Sequence, residues 1–564
     1  MSIPPADSRP LQNDRCSIAA IDRTYAAAAL LLVCVVALVA FSGRQGRYAE
    51  LHDYWEYAAC AQELAHNMRV PENPLLALPG ENNPRNTPSV FLVALAMKLF
   101  GFELFTAIGL FSIVACAAFA AGVYLWSAAY FQDAKMPLYV LLTMLFVWGQ
   151  PFHYSSEYNL RFLAYTLFYP SIVAFNLLFL GLYFLLQFAR HQLLRHYVLY
   201  ALLAAFIFVT HPVNGSFFLL CALLMTLTEG THRRKTFVLY CFSVGLVLLS
   251  SQAWPYYSFL TVLVKSMTTD WYGEFQKYLY DFQNIYRMGP ALLGLPVLWM
   301  FCVRKRYPFL TIGFVLCLVI YLVSWRFSIT MGERYVFCMM LFLHCALAWY
   351  FRQIGLLSAA AIKRSLTAPT ARSLPALFFV LILAGGAGFQ VLKLGFEQVG
   401  RTITFEPRPV VRAYKNPLVQ YPPLADHLGR SDVVMTDTLT AWLVPSFTGA
   451  RGTSLYHSQP MIPDNNQRLR DAISFYEERT APEQRWGILK KYGATHVLLN
   501  FDRMRPTDAN RVCDFYNKFR ISAQLREQVQ GMGEVVFQNE GMLLVKLDYE
   551  SVGESLRSHS PTGL

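Results

Sequence analysis

Long apolar runs broken by short polar loops dominate the first two thirds of the chain. A helix needs about 20 mostly apolar residues to cross a bilayer. The first such run extends from Thr24 to Phe41, and further runs begin near Leu104, Met136, Leu167, Tyr197, Val213, Thr236, Gly289, Phe309, Tyr335 and Leu374. This pattern predicts about eleven transmembrane helices. The polar stretch before the first run, with Arg9, Arg15 and Arg23, is too long and too acidic for a signal peptide and is followed by no small-x-small cleavage site. It reads as a cytoplasmic segment ahead of a retained first helix.

The loops supply the orientation. Lys135, then Arg190 and Arg195, then Arg233-Arg234-Lys235, then Arg304-Lys305-Arg306, then Arg352, Lys363, Arg364 and Arg372 follow every second span. Short basic loops mark the cytoplasmic side. The opposite face then carries 42–88, 153–165, the turn at His211-Pro212, 254–287, 325–334 and everything after about Gly395. Two segments in the first outer loop read as short helices: His52 to Met68, with Tyr54, Tyr57, Ala58, Ala61, Leu64 and Ala65 toward one side, and Ser89 to Phe100, apolar but too short to span and suited to the interface.

After about Pro407 the pattern changes to that of a soluble domain. Val433-Val434-Met435 and His496-Val497-Leu498-Leu499 read as buried strands, Glu534–Phe537 and Met542–Lys546 as a hairpin, and Asn465–Arg479 and Ala481–Tyr492 as helices. The expected organisation is a cytoplasmic segment over 1–23, a transmembrane domain over 24–396, a soluble periplasmic α/β domain over 397–550 and a disordered tail over 551–564. The fold class is thus a polytopic α-helical membrane protein with a C-terminal α/β domain.

Composition sharpens this. Of 564 residues, 55% are hydrophobic and only 15% charged, where a soluble domain carries about a quarter charged. Mean hydropathy is +0.34. The net charge of +12 lies in the loops, which argues for membrane orientation and against nucleic acid. Most of the 11 Cys lie in apolar runs with no CxxC pair, so neither a disulfide framework nor a zinc site is expected.

Candidate chemistry gathers on the outer face. Asp53 and Glu56, three apart, share a helix face. They can serve as a general base and its partner, or as a capping box at a helix start. Glu157 and Arg161 are a second acid with a neighbouring cation, or a solvated helix pair. His211 either caps a helix or donates to a phosphate oxygen. Arg326 and the run Glu333-Arg334 lie at membrane boundaries, and a guanidinium fork suits phosphate; Lys265 and Asp270 are weaker candidates. The aromatics Trp254, Tyr256, Tyr257, Trp271 and Tyr272 read as an interfacial belt.

The arrangement resembles the GT-C superfamily of polytopic membrane glycosyltransferases, near the branch holding protein O-mannosyltransferases and lipid A aminoarabinose transferases. Asp53-Tyr-Trp-Glu56-Tyr57-Ala58 with Gln62-Glu63-Leu64 is similar to the acidic opening of that family's first outer loop. Asn86-Thr87-Pro88 through Lys98-Leu99-Phe100-Gly101 is similar to its Pro-led interfacial helix with a Leu-Phe-Gly end, and Lys491-Tyr-Gly-Ala-Thr-His-Val-Leu-Leu499 to its bacterial outer domains. His52 departs from the pattern, since the first acid often belongs to a two-acid run.

The resemblance implies transfer of a sugar, a pentose such as arabinose or a hexose such as mannose, from a polyprenyl-phosphate donor to a glycan, lipid or protein acceptor. Inversion in a single displacement is carried over with it. Asp53 is the expected base, with Glu56 and Glu157 beside it. His211, Lys265, Arg326, Glu333 and Arg334 are expected at the donor phosphate, and Tyr54, Trp55, Arg85 and Arg161 at the sugar or acceptor. A divalent metal, Mg or Mn, bridging carboxylates and phosphate stays open, because branches of the family differ. The implied location is a bacterial inner membrane. The competing class is a lipid flippase or transporter, which would place charges near the bilayer midplane and show repeats. A polysaccharide polymerase or ligase would place its large outer loop late in the chain.

Overall fold

A computed structural model of the chain describes residues 22–41, 53–78, 83–149, 152, 156–229, 232–268, 277–280, 284–329, 331–364, 370–398, 401–403, 411–413, 417–455, 461–462, 464–501, 519 and 521–550. Expectations on 1–21, His52, parts of the loops 42–88 and 153–165, Asp270, Trp271-Tyr272 and 551–564 lie outside the described residues.

Each anticipated apolar run is a helix. In chain order come α1 (Arg23–Phe41), α2 (Asp53–His66), α3 (Pro88–Phe100), α4 (Leu104–Phe131), α5 (Met136–Phe146), α6 (Leu160–Thr166), α7 (Pro170–His191), α8 (Leu194–Thr210), α9 (Pro212–Thr228) and α10 (Arg233–Ala253). They are followed by α11 (Phe259–Thr268), α12 (Asn284–Met288), α13 (Gly294–Val303), α14 (Pro308–Phe327), α15 (Tyr335–Arg364) and α16 (Thr370–Gln398). Among the described residues, 7 helices are long and apolar enough to cross a membrane: Arg23–Phe41, Leu104–Phe131, Pro170–His191, Arg233–Ala253, Tyr286–Val303, Pro308–Phe327 and Gly332–Ile354. The chain is a multi-pass membrane protein.

The other anticipated spans are shorter apolar helices: Met136–Phe146, Leu194–Thr210, Pro212–Thr228 and Val380–Gly395. A proline explains the break between α8 and α9. Pro212 has no N–H to donate and pushes His211 out of the helical region, to φ −153°.

The outer helices expose large apolar side chains such as Leu30, Leu31, Phe242, Leu249 and Trp299, a surface suited to hydrocarbon rather than water. α7 and the stretch Gly332–Ile354, which holds the first part of α15, are mostly buried. Gly181 of α7 lets α9 approach, since a Cβ there would stand 2.6 Å from Cζ of Phe218.

Between α1 and α4, α3 ends as its sequence suggests, with Gly101 in the left-handed region at φ 67°. α2 differs from expectation. A one-sided apolar helix was anticipated, but Trp55, Glu56, Ala59, Cys60 and Glu63 are buried along with Tyr54, Tyr57 and Ala58. The face that would otherwise meet water is covered by the C-terminal domain.

That domain begins with an antiparallel pair, β1 (Arg401–Ile403) and β2 (Val411–Ala413), then α17 (Pro417–Gln420). Its sheet contains β3 (Val433–Met435), β4 (Arg451–Gly452), β5 (His496–Asn500), β6 (Gly533–Gln538) and β7 (Met542–Leu547), in the order β4-β3-β5-β7-β6. β3 is parallel to β4 and β5, whereas β7 is antiparallel to β5 and β6. The β6–β7 hairpin turns where Asn539 Oδ1 accepts from the backbone N–H of Gly541 and Met542. α18 (Thr440–Thr448), α19 (Asn465–Tyr476), α20 (Pro482–Lys491) and α21 (Ala523–Gln530) complete it. Phe475, Trp486, Leu489, Val497, Leu499, Leu543 and Val545 form its core.

Candidate active site

Asp53 opens α2 and Glu56 lies one turn on, so both carboxylates point to one side. A single guanidinium holds them. Arg85 Nε is 2.7 Å from Glu56 Oε2, and Nη1 is 3.5 Å from Asp53 Oδ2. Nη1 also donates to the Tyr57 hydroxyl at 2.7 Å. Glu56 is fully buried, and its Oε1 accepts from Trp442 Nε1–H at 2.7 Å. Each of its oxygens thus has a partner distant in sequence. Asp53 is less enclosed, with 24% of its side chain exposed. Burial raises the Tyr57 hydroxyl well above its usual range, so it stays protonated, and the Arg85 charge only partly offsets this.

A cationic group stands at the α8–α9 break. His211 caps α9, its Nδ1 accepting from the Asn214 N–H at 3.2 Å, and its Nε2 lies 3.2 Å from Arg334 Nη1. A neutral imidazole has only one bare nitrogen, so Asn214, His211 and Arg334 together present more donors than acceptors. Burial, then the charges of Arg334 and Arg85, push His211 well below the usual imidazole range, while Asp53 opposes them. The acid, its guanidinium and the Arg334 charge thus all act on one ring. Arg334 sits in the short turn Gly332–Arg334, where Tyr280 Oη lies 3.3 Å from the buried Glu333 Oε2 and donates to the Ile329 carbonyl at 2.7 Å. Gly332 is required by close approach, since a Cβ there would lie 1.9 Å from Ser324 Oγ.

Glu157 and Arg161 belong to a second buried cluster. Asn159 Nδ2 donates to Glu157 Oε2 at 2.9 Å, and Asn159 Oδ1 caps α6 by accepting from Phe162 N–H. The Arg161 guanidinium lies 5.1 Å from the Phe162 ring centroid, and its backbone N–H donates to Gln390 of α16. This is no solvated surface pair.

Other expected site residues fall elsewhere. Tyr54 and Trp55 are buried and pack edge-on against Phe168 and Phe105, with Trp55 also against Phe447. Their rings build the wall of α2 rather than a sugar platform. Arg326 is exposed at the end of α14 with its guanidinium 5.7 Å from the neighbouring Phe327 ring centroid, so it does not join the Arg334 group. Lys265 is half-buried on α11. Trp254 and Tyr256 are tied inward, to the carbonyls of Asn86 and Met68.

No three His, Cys, Asp or Glu side chains converge as a metal site among the described residues. Asp53 and Glu56, the carboxylates nearest to such a role, already face Arg85, whose positive charge would repel a divalent ion. This donor set does not fit the Mg or Mn ion that the sequence left open.

Sequence reasoning missed Trp442 and Arg430, which reach α2 from the C-terminal domain, and buried Gln390 and Lys393 of α16. Lys393 carried a signal, a charge inside an apolar run. Trp442 carried none.

No family model matches the sequence, and no curated protein matches it. Among solved structures, ArnT from Cupriavidus metallidurans in the apo state is similar with a TM-score of 0.51 at 13% identity, covering 93% of this chain and 98% of that one. The chain has the GT-C fold. The oligosaccharyltransferase of Archaeoglobus fulgidus, tethered to an acceptor peptide, aligns at a TM-score of 0.47 and 12% identity over 84% of this chain and 69% of that one. The same archaeal protein, AglB, with an inhibitory peptide and a dolichol-phosphate gives 0.45 at 12% identity, with the same coverage. Within the GT-C fold of this chain, the segments that carried the resemblance sit together: Asp53 starts α2, Pro88 starts α3, and Gly101 ends α3.

Proposed function

We propose that the protein is a GT-C glycosyltransferase that moves a sugar, a pentose such as arabinose or a hexose such as mannose, from a polyprenyl-phosphate donor to an acceptor hydroxyl. The observation that carries this reading is a pair of built groups: Arg85 Nη1 3.5 Å from Asp53 Oδ2 at the start of α2, and Arg334 Nη1 3.2 Å from His211 Nε2 at the α8–α9 break. The first offers an acid and the second donors for an anionic oxygen, which are the two groups that transfer from a lipid phosphate needs.

In this reading Asp53 takes the proton of the acceptor hydroxyl as its oxygen bonds to the anomeric carbon. The bond from that carbon to the phosphate oxygen breaks, and its electron pair leaves on the lipid phosphate. Arg334 and the His211 imidazole donate to that phosphate, where negative charge grows. The donor surplus around His211 suits an anionic oxygen. A single displacement inverts the anomeric centre. Glu56 acts as a fixed charge that holds Arg85. Glu157 and Arg161 are further buried charges, and Glu333 orients the turn that carries Arg334. The basic loops support an N-terminus in the cytoplasm and a site on the opposite face, and a bacterial inner membrane is the location that goes with this reading. The donor remains in the bilayer throughout, which accounts for a catalyst built from membrane helices.

The test is transfer in vitro from a panel of polyprenyl-phosphate sugars, comparing wild type with Asp53→Asn. The expected loss is about 10²–10⁴-fold in turnover. Full turnover in the variant removes Asp53 as the base. Movement of labelled lipid across vesicles without any new glycosidic bond would instead identify a flippase.

A further inference from the structure

The C-terminal domain grips the helix that carries both acids. Trp442 and Ser446, one turn apart on α18, face α2 together. Trp442 donates to Glu56 Oε1 at 2.7 Å, and Ser446 Oγ donates to the Trp55 carbonyl at 2.8 Å. Around them, Arg430 Nη1 pairs with Glu63 Oε2 at 2.6 Å, Arg451 pairs with Glu72, and Gly452 N–H donates to the Leu75 carbonyl at 2.7 Å. The indole is 1% exposed and Glu56 fully buried, so water cannot replace this hydrogen bond.

We infer that Trp442 is a positioning residue for the acidic site, acting through Glu56 and Arg85, and that the site is complete only while the C-terminal domain is docked on α2. This rests on the glycosyl-transfer reading above. A buried carboxylate needs donors on both oxygens. The indole N–H satisfies one, which leaves Arg85 to be shared among Glu56, Tyr57 and Asp53. Without the indole N–H, Glu56 draws more fully on Arg85, and the guanidinium shifts away from Asp53. Trp442 touches no substrate in this account. Its loss should lower the rate of the chemical step and leave donor affinity, which depends on His211 and Arg334, unchanged.

The test uses Trp442→Phe in the full chain, which keeps a large ring and removes only the donor. The expected result is a fall of at least tenfold in kcat with donor KM within about twofold of wild type. Trp442→Phe combined with Glu56→Gln should fall no further than the worse single variant, because both break one connection. Wild-type kcat in Trp442→Phe, or fully multiplicative losses in the double variant, would overturn the inference. A readout independent of activity guards against misfolding of that variant: hydrogen exchange by mass spectrometry on Glu56→Gln, with increased deuterium uptake expected in both 53–66 and 440–448. Unchanged uptake in 440–448 would also overturn it. The two failures are distinguishable: a wild type inactive with every donor but coupled in exchange removes the transfer reading, and an active wild type insensitive to Trp442→Phe removes this inference alone.

Discussion

Arg85 Nε lies 2.7 Å from Glu56 Oε2, with the Glu56 side chain fully shielded from water. Such a pair costs little while intact and much when one partner is removed. Arg85→Met is expected to destabilise the protein by about 3–5 kcal/mol, because a buried carboxylate is left uncompensated. Glu56→Gln in the same chain should restore part of that loss. Thermal unfolding in detergent micelles measures both, and a melting temperature unmoved by Arg85→Met would mean that the buried pair contributes nothing.

The phosphate assignment separates two arginines that the sequence treated alike. Arg334 is buried beside His211, whereas Arg326 is exposed. Arg334→Ala is expected to weaken donor binding by roughly 10–150-fold, the range for losing a hydrogen bond to a charged group. His211→Ala should weaken it in the same direction, and Arg326→Ala should bind as wild type does. Titration with a fluorescent polyprenyl phosphate reads all three, and equal effects at Arg326 and Arg334 would contradict the assignment.

Gly332 carries a steric prediction. A Cβ there would meet Ser324 Oγ at 1.9 Å and Ser324 Cβ at 2.2 Å. Gly332→Ala must displace the turn bearing Glu333 and Arg334, at a cost of about 1–3 kcal/mol, and should weaken donor binding. Adding Ser324→Gly removes both clashing atoms and should recover most of the binding. Failure of that second change to recover anything would mean that the turn is not held by this contact.

Acid should destabilise the C-terminal domain through His496. Burial lowers its pKa below the usual imidazole value, although Asp432, 3.6 Å away, opposes this. The unfolded chain therefore binds more protons than the folded one once pH falls below about 6.5. Stability is unaffected by this group above that pH and declines as pH falls from there toward the lower folded value. The melting temperature should drop between pH 7 and pH 5, and less so in His496→Gln. An identical drop in both proteins would remove His496 as a cause.

Much of the membrane architecture was legible in the chain because hydropathy acts locally. A run such as Thr24 to Phe41 must leave water whatever surrounds it, and in hydrocarbon its backbone must be hydrogen-bonded internally as a helix. The short α2 and α3, the α19–α20 pair and the β6–β7 hairpin were legible for similar reasons: a proline at the start of α3, a glycine at its end, and alternation around Asn539. These are near-neighbour constraints that sequence spacing records directly.

The meaning of the acids was not local. Asp53 and Glu56 by themselves fit a capping box as well as a catalytic pair, the former being the commoner use of that spacing; only the fold brings Arg85 and Trp442 to the Glu56 carboxylate, the latter from 386 positions away. The sequence by itself determined that the protein is a membrane-embedded helical body with a C-terminal region that carries a small sheet, since burial of apolar side chains and satisfaction of backbone hydrogen bonds leave few alternatives. Only the tertiary structure decided which charges meet. An ion pair depends on a few ångströms of separation and on the exclusion of water, and both are set by packing between segments that hydrophobic patterning does not align.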